Sequence, residues 1–189
     1  ALTEEARASV GGTAQEAWLE RLEREHDNVR AALAWGLERA PELALRLVGA
    51  IWRFWYAHGY LREGRQWIAE ALARGAAAPA ALRAQALLGG GAIAQAQGDR
   101  AAAEAWLDEA LALFGEAGNR VDAATALNML GLVARDAGDV DRAVALHEES
   151  LAIARALDDR WRVTFALNLL GPALLRRGEH APATAALEE

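Results

Sequence analysis

The forty residues from Ala124 to Val163, ATALNMLGLVARDAGDVDRAVALHEESLAIARALDDRWRV, decide the fold. Apolar residues recur three and four apart on both sides of Gly138-Asp139, so the stretch reads as two amphipathic helices broken by one tight turn. Sliding residues 84–123 onto 124–163 gives 13 identities. Among them Gly91, Gly98, Asp99, Ala103 and Leu111 recur as Gly131, Gly138, Asp139, Ala143 and Leu151. A third copy follows with Gly171, Gly178 and Ala183, and the turn Gly178-Glu179. A fixed period of this length is the signature of a solenoid built from antiparallel helix hairpins.

The small residues suggest how each hairpin closes. Gly131 and Ala143 flank the turn glycine Gly138, and the spacing places them opposite each other, letting the two helix axes approach closely. A degenerate earlier copy appears at an offset of 39, where Gly59, Trp67, Glu70 and Leu72 match Gly98, Trp106, Glu109 and Leu111. In that register Trp52 stands in place of the hairpin glycine and Gly64 in place of the alanine, so the Trp52 indole is expected against the Gly64 backbone.

The expected organisation is a linker over 1–12, a helical N-terminal cap over 13–40, the degenerate hairpin over 41–83, full repeats over 84–123 and 124–163, and a partial repeat over 164–189. In the cap, Thr13 with Glu16 reads as a capping box, and Asp27 as the cap of a second helix that stops before Pro41. The fold class is all-α, a right-handed α-solenoid.

Composition removes most chemistries. The chain has 189 residues and no cysteine, and its 20 basic residues are all arginine. Thiolate nucleophiles, disulfides, Cys-ligated zinc, a P-loop lysine and Schiff-base chemistry are therefore out of reach. The two serines, Ser9 and Ser150, lie in no G-x-S-x-G frame, and His147-Glu148-Glu149-Ser150-Leu151 lacks the second histidine of a zincin helix. His26, His58, His147 and His180 are scattered one per element and read as structural. The triplet Gly89-Gly90-Gly91 lies inside a helix and cradles no phosphate. No catalytic residues, metal or cofactor are expected. A net charge of −7 disfavours a phosphate-tracking nucleic-acid surface, and no apolar run spans a membrane. The chain starts with Ala and stops inside a periodic segment, which reads as a piece of a longer cytoplasmic protein.

Leu127, Leu130-Gly131, Ala143, His147 and Ser150 together resemble the tetratricopeptide repeat (TPR). The usual unit is about 34 residues with a closing proline. The copies here run to 40 and connect instead through Gly118-Asn119-Arg120 and Asp158-Asp159-Arg160. HEAT and armadillo repeats share the length, but the Leu-Gly pair with alanine twelve later favours the TPR. A second resemblance lies in Trp18-Leu19-Glu20-Arg21-Leu22, the run from His26 to Trp35, Trp52-Arg53-Phe54-Trp55 and Gly64-Arg65-Gln66-Trp67. These are similar to the segment that opens the C-terminal repeat arm of bacterial signalling ATPases, such as MalT-like, LuxR-type and antibiotic-regulator-type transcription factors. That resemblance implies a sensor arm whose partners are a protein, a peptide or a small inducer, with intramolecular contact to an ATPase and winged-helix part. A generic scaffold arm on another domain is the alternative.

The TPR resemblance also implies that the first helix of each hairpin lines a concave binding face. Its expected positions are Arg46, Gly49, Arg53, Tyr56 and Ala57, then Gln85, Leu88, Ala92, Gln95 and Ala96. The later repeats contribute Thr125, Asn128, Leu132, Arg135 and Asp136, then Phe165, Asn168, Pro172, Leu175 and Arg176. Arginine forks beside an aromatic ring suit a carboxylate or phosphate group. The places where peptide-tail clamps carry asparagine hold Ala92, Leu132 and Pro172. Of the aromatic cluster Trp52, Phe54, Trp55, Tyr56, Tyr60 and Trp67, most members are expected in the core, with Tyr56 exposed. Pro172 leaves the Asn168 carbonyl without its helical donor and is expected to kink its helix. The incomplete last hairpin leaves Ala185 and Leu187 without a following repeat, so self-association through that end is expected.

Overall fold

A computed structural model describes residues 13–188, with side chains from residue 17 onward. The linker expected over 1–12 and the capping-box side chains Thr13 and Glu16 lie outside the described residues. All described secondary structure is helical: α1 (Thr13–Arg24), α2 (His26–Arg39), α3 (Pro41–His58), α4 (Leu61–Arg74), α5 (Ala80–Ala96), α6 (Arg100–Glu116), α7 (Arg120–Asp136), α8 (Val140–Ala156), α9 (Arg160–Arg177) and α10 (His180–Glu188). The fold class is an α-solenoid.

From α5 onward the helices open at residues 80, 100, 120, 140, 160 and 180, so the structural step is twenty residues and the sequence repeat of forty is two of them. One dipeptide explains the step. Gly98, Gly118, Gly138 and Gly178 all take positive φ, between 64° and 85°, which ends one helix without the penalty a Cβ would bring. The residue after each of the first three, Asp99, Asn119 or Asp139, turns its side-chain oxygen back onto the third backbone N–H of the next helix, at 3.2 Å. Asp159 does the same for Arg162 N–H at 3.0 Å. Its predecessor breaks the rule: Asp158 occupies the left-handed position with φ 53°.

The chain forms two compact units, 1–97 and 98–189. In the first, α3 packs against α4 and α5, α4 against α5, and α2 against α3 and α4. The buried interior is aromatic, with Phe54 and Trp55 fully inaccessible and Trp52 nearly so. Trp52 does not meet Gly64. A Cβ placed on Gly64 would come within 2.9 Å of Trp55 and of Ile93, whereas the Trp52 side chain lies on Gly89, 2.6 Å from where a Cβ would stand. The hairpin partner of Gly64 is thus one turn further along α3, and Gly89 of α5 admits Trp52 between neighbouring helices.

The cap is held to α4 by charge as well as packing. Arg30 of α2 donates two hydrogen bonds of 2.7 Å to the Glu63 carboxylate, which also lies 3.2 Å from His26 and accepts from the Trp67 indole N–H at 3.3 Å. The Tyr60 hydroxyl donates to Glu23 at 2.8 Å, and His26 stacks obliquely on Tyr60 at 4.7 Å. Asp27 caps nothing: α2 begins after Glu25 without a side-chain cap, and Asp27 instead pairs with Arg30 one turn on, at 3.0 Å. The dipole of the first turn accounts for its place there.

In the second unit α6 packs on α7, α7 on α8, α8 on α9 and α9 on α10. Val144, Leu151, Ala166, Leu167, Leu170, Ala173, Leu174 and Ala183 form one core among α8, α9 and α10. Gly131 faces into its hairpin, and the side chain nearest to it is that of His147: a methyl built on it would stand 2.8 Å from both imidazole nitrogens. Gly171 meets Leu187 in the same way at 2.8 Å, so the pairing in both hairpins is glycine with the residue sixteen later. Helix α9 continues through Pro172 to Arg177.

Candidate functional site

In the first unit α3 presents Arg46, Arg53 and Tyr56 along one face, seven and three residues apart, which the helical repeat of 3.6 brings into line. Gly49 on the same stripe is buried, because its missing side chain lets α5 approach until Gln85 Cβ would be 2.8 Å from a Cβ there. Gln85 is half-buried beside that contact, and Gln95 is also half-buried near the end of α5. Between them Leu88 and Ala92 are fully buried, so these two expected surface positions belong to the core.

The feature with chemical character is on α3. The Arg53 guanidinium sits 4.4 Å over the Trp52 ring, and Tyr56, 40% exposed, meets the same ring edge-on at 6.2 Å. Trp52 is thereby buried as a base plate under a cation and a phenol. A guanidinium stacked on an indole keeps its in-plane N–H donors directed outward, where a planar acceptor such as a carboxylate can take two of them. Arg46 adds an exposed cation along the same helix.

In the second unit the expected face divides. Asn128 is 3% exposed, and its side-chain oxygen lies 3.1 Å from His147 Nδ1 inside the hairpin. It is a core amide rather than a ligand contact. Leu132 is likewise buried. Asn128 is covered because it turns into the hairpin towards His147 of α8, and α7 packs against α9 as well. Thr125 is half-buried, and its hydroxyl donates to the Val121 carbonyl at 3.3 Å. Arg135 and Asp136 bond to each other at 2.7 and 2.9 Å. Phe165 is half-buried, while Asn168, Pro172, Leu175 and Arg176 are exposed on α9.

His147 itself is fully buried, and burial, with the charge of Arg135 adding to it, pushes its pKa down to about 4. Ser150, also buried, donates its hydroxyl to the Ala124 carbonyl at 2.9 Å. Both polar groups are spent on closing the hairpin. Among the described residues no three His, Asp or Glu side chains converge as a metal would require. No described helix is long and apolar enough to cross a membrane.

Sequence reasoning overlooked Trp161. It is 43% exposed and lies flat on Phe165, with ring centroids 5.4 Å apart and planes 5° apart. The signal was present in the repeat alignment, where Trp161 replaces Val121 and Phe165 replaces Thr125.

The family model described as tetratricopeptide repeat matches residues 82–156 and, one repeat later, 122–189. No curated protein matches the sequence. Among solved structures the chain is similar to BtubC (BKLC) from P. vanneervenii, with a TM-score of 0.73 and 21% identity over 98% of this chain and 84% of that one. It is also similar to a putative kinesin light chain with nearly identical TPR-like repeats from Podosopora anserina, with a TM-score of 0.61 and 19% identity over 90% of this chain and 93% of that one.

Proposed function

Because the chain belongs to the tetratricopeptide-repeat family, we propose that it is a non-catalytic interaction module that grips a protein partner or small inducer on its first-helix faces. TPR domains typically serve as protein-interaction scaffolds. The observation that carries the reading is the α3 ledge, in which Arg53 is stacked over Trp52 beside the exposed ring of Tyr56. A half-buried guanidinium and an exposed phenol set on a buried indole give an acidic group a base that packing already orders. Arg46, Gln85 and Gln95 extend that face in the first unit; the second unit has its own first-helix positions, Thr125, Arg135, Asp136, Phe165, Asn168 and Arg176.

The setting we propose is the regulatory arm of a bacterial, cytoplasmic signalling ATPase, where the arm contacts the nucleotide-binding and winged-helix parts until an inducer displaces them. Support comes from the cap block. Of its motif residues, Trp18, Leu22, Leu33, Trp52 and Trp55 are buried, while Trp35 is 52% exposed. The test is site-specific photocrosslinking in the full-length parent protein, with p-benzoylphenylalanine at Tyr56. Crosslinks to the ATPase or winged-helix part that vanish on addition of inducer support the regulatory arm. Crosslinks only to a separate protein make it a scaffold arm, and their absence in every condition removes the α3 face.

A further inference from the structure

Aligned by the repeat, Trp52 and Arg53 of α3 stand where α7 carries Gly131 and Leu132, and Gly89 of α5 stands where α7 carries Met129. Large has replaced small on α3, and small has replaced large on the neighbouring helix. The two changes meet. A Cβ on Gly89 would stand 2.6 Å from Trp52 Cβ and Cγ and 2.9 Å from its Cδ1. Rotating the side chain does not move Trp52 Cβ, so room for even a methyl group has to come from shifting one helix against the other. Glycine is a poor residue for the middle of a helix, and α5 runs from Ala80 to Ala96. The seat it gives Trp52 accounts for its place there.

The indole seated there carries the α3 face. The Arg53 guanidinium covers its ring at 4.4 Å and Tyr56 meets it edge-on at 6.2 Å, while Trp52 itself is only 5% exposed. A ligand on this face therefore meets Arg53 and Tyr56, with the indole beneath them. Gly89 is buried and out of its reach. Where the indole lies decides where the guanidinium lies, and the bare backbone at Gly89 decides where the indole lies.

We propose that Gly89 is a positioning residue for the α3 face: by leaving Trp52 a seat without a side chain, it holds the Arg53 guanidinium in place for a carboxylate of the partner. This rests on the reading of that face as the seat of an acidic group, and adds what keeps it in order. Stacking over an indole fixes the plane of a guanidinium, so its paired N–H donors are aligned before the carboxylate arrives and less freedom is lost on binding. A helix shift that lifts the indole loosens the stack and returns that freedom to Arg53.

Nuclear magnetic resonance on the 189-residue chain tests this, with succinate as the probe at constant ionic strength. In the unaltered chain the Arg53 side-chain protons are expected upfield, in the ring current of the indole, and the Arg53 Nε–H signal is expected to move on titration. Gly89→Ala should abolish the upfield shift and weaken succinate binding about three- to tenfold. Trp52→Leu should do the same, whereas Trp52→Phe, close to leucine in volume but still a ring, should keep most of both. Thermal melting shows that the variants are folded. A Gly89→Ala chain that melts lower yet keeps the Arg53 shift and the affinity overturns the proposal, because the glycine then serves packing only. Equal affinity in Trp52→Leu and Trp52→Phe overturns it too, whether or not Gly89→Ala folds. An Arg53 signal that ignores succinate in the unaltered chain removes the α3 face as an acid site, and the proposal falls with that reading.

Discussion

The imidazole of His147 lies so close over Gly131 that a methyl group there would stand 2.8 Å from each ring nitrogen. Glycine and histidine, sixteen residues apart, are thus a single packing unit. Gly131→Ala should cost about 1–2 kcal/mol, the overpacking penalty less the helix propensity that alanine regains. His147→Ala should cost more through its cavity. The double variant should lose about 1 kcal/mol less than the sum, because the new methyl then has room. Urea midpoints of the four proteins measure the cycle.

The same histidine makes the fold acid-sensitive. Buried inside the hairpin beside the Asn128 amide, it has a pKa of about 4, against about 6.5 in an unfolded chain. Between those values the unfolded chain binds the extra proton, so stability rises with pH there. The contribution is complete above pH ~6.5 and is lost as pH falls towards 4, by about 3 kcal/mol in all. His147→Leu should flatten that limb, read as the pH dependence of the melting temperature.

Asp158 carries a side chain where the other turns of the array have glycine, at φ 53°. Asp158→Gly is expected to raise stability by about 0.5–1 kcal/mol, and Gly138→Ala, at φ 81°, to lower it by about 1–2 kcal/mol. Chemical denaturation of the two variants decides both signs.

Glu63 ties the cap to α4 through Arg30, His26 and Trp67. The Arg30 hydrogen bonds, followed by the Trp67 indole, hold its carboxyl below the ordinary carboxylate range against the opposing effect of burial. This contribution is present above the unfolded carboxylate pKa and disappears as pH falls through the lowered one. Glu63→Gln should speed amide hydrogen exchange in residues 18–39 at neutral pH while leaving α8 and α9 protected. Equal acceleration in both places would show that the network does not act locally.

Sequence alone determined the all-helical class, the forty-residue period, the hairpin unit and the turn dipeptides. These follow from local rules: apolar spacing marks a helix face, and glycine followed by Asp or Asn both ends one helix and starts the next. The TPR resemblance also marked Tyr56 as the exposed member of the aromatic cluster, and it is 40% exposed. Tertiary structure decided the partners. Whether Gly64 receives Trp52 or Trp55, and which side chain of α8 lies nearest Gly131, depend on sliding one helix past its neighbour by a turn. Such a shift preserves the periodicity of each helix, so the pattern within a helix does not encode it. It is fixed by which large side chain fits which gap once the neighbouring helices are in place.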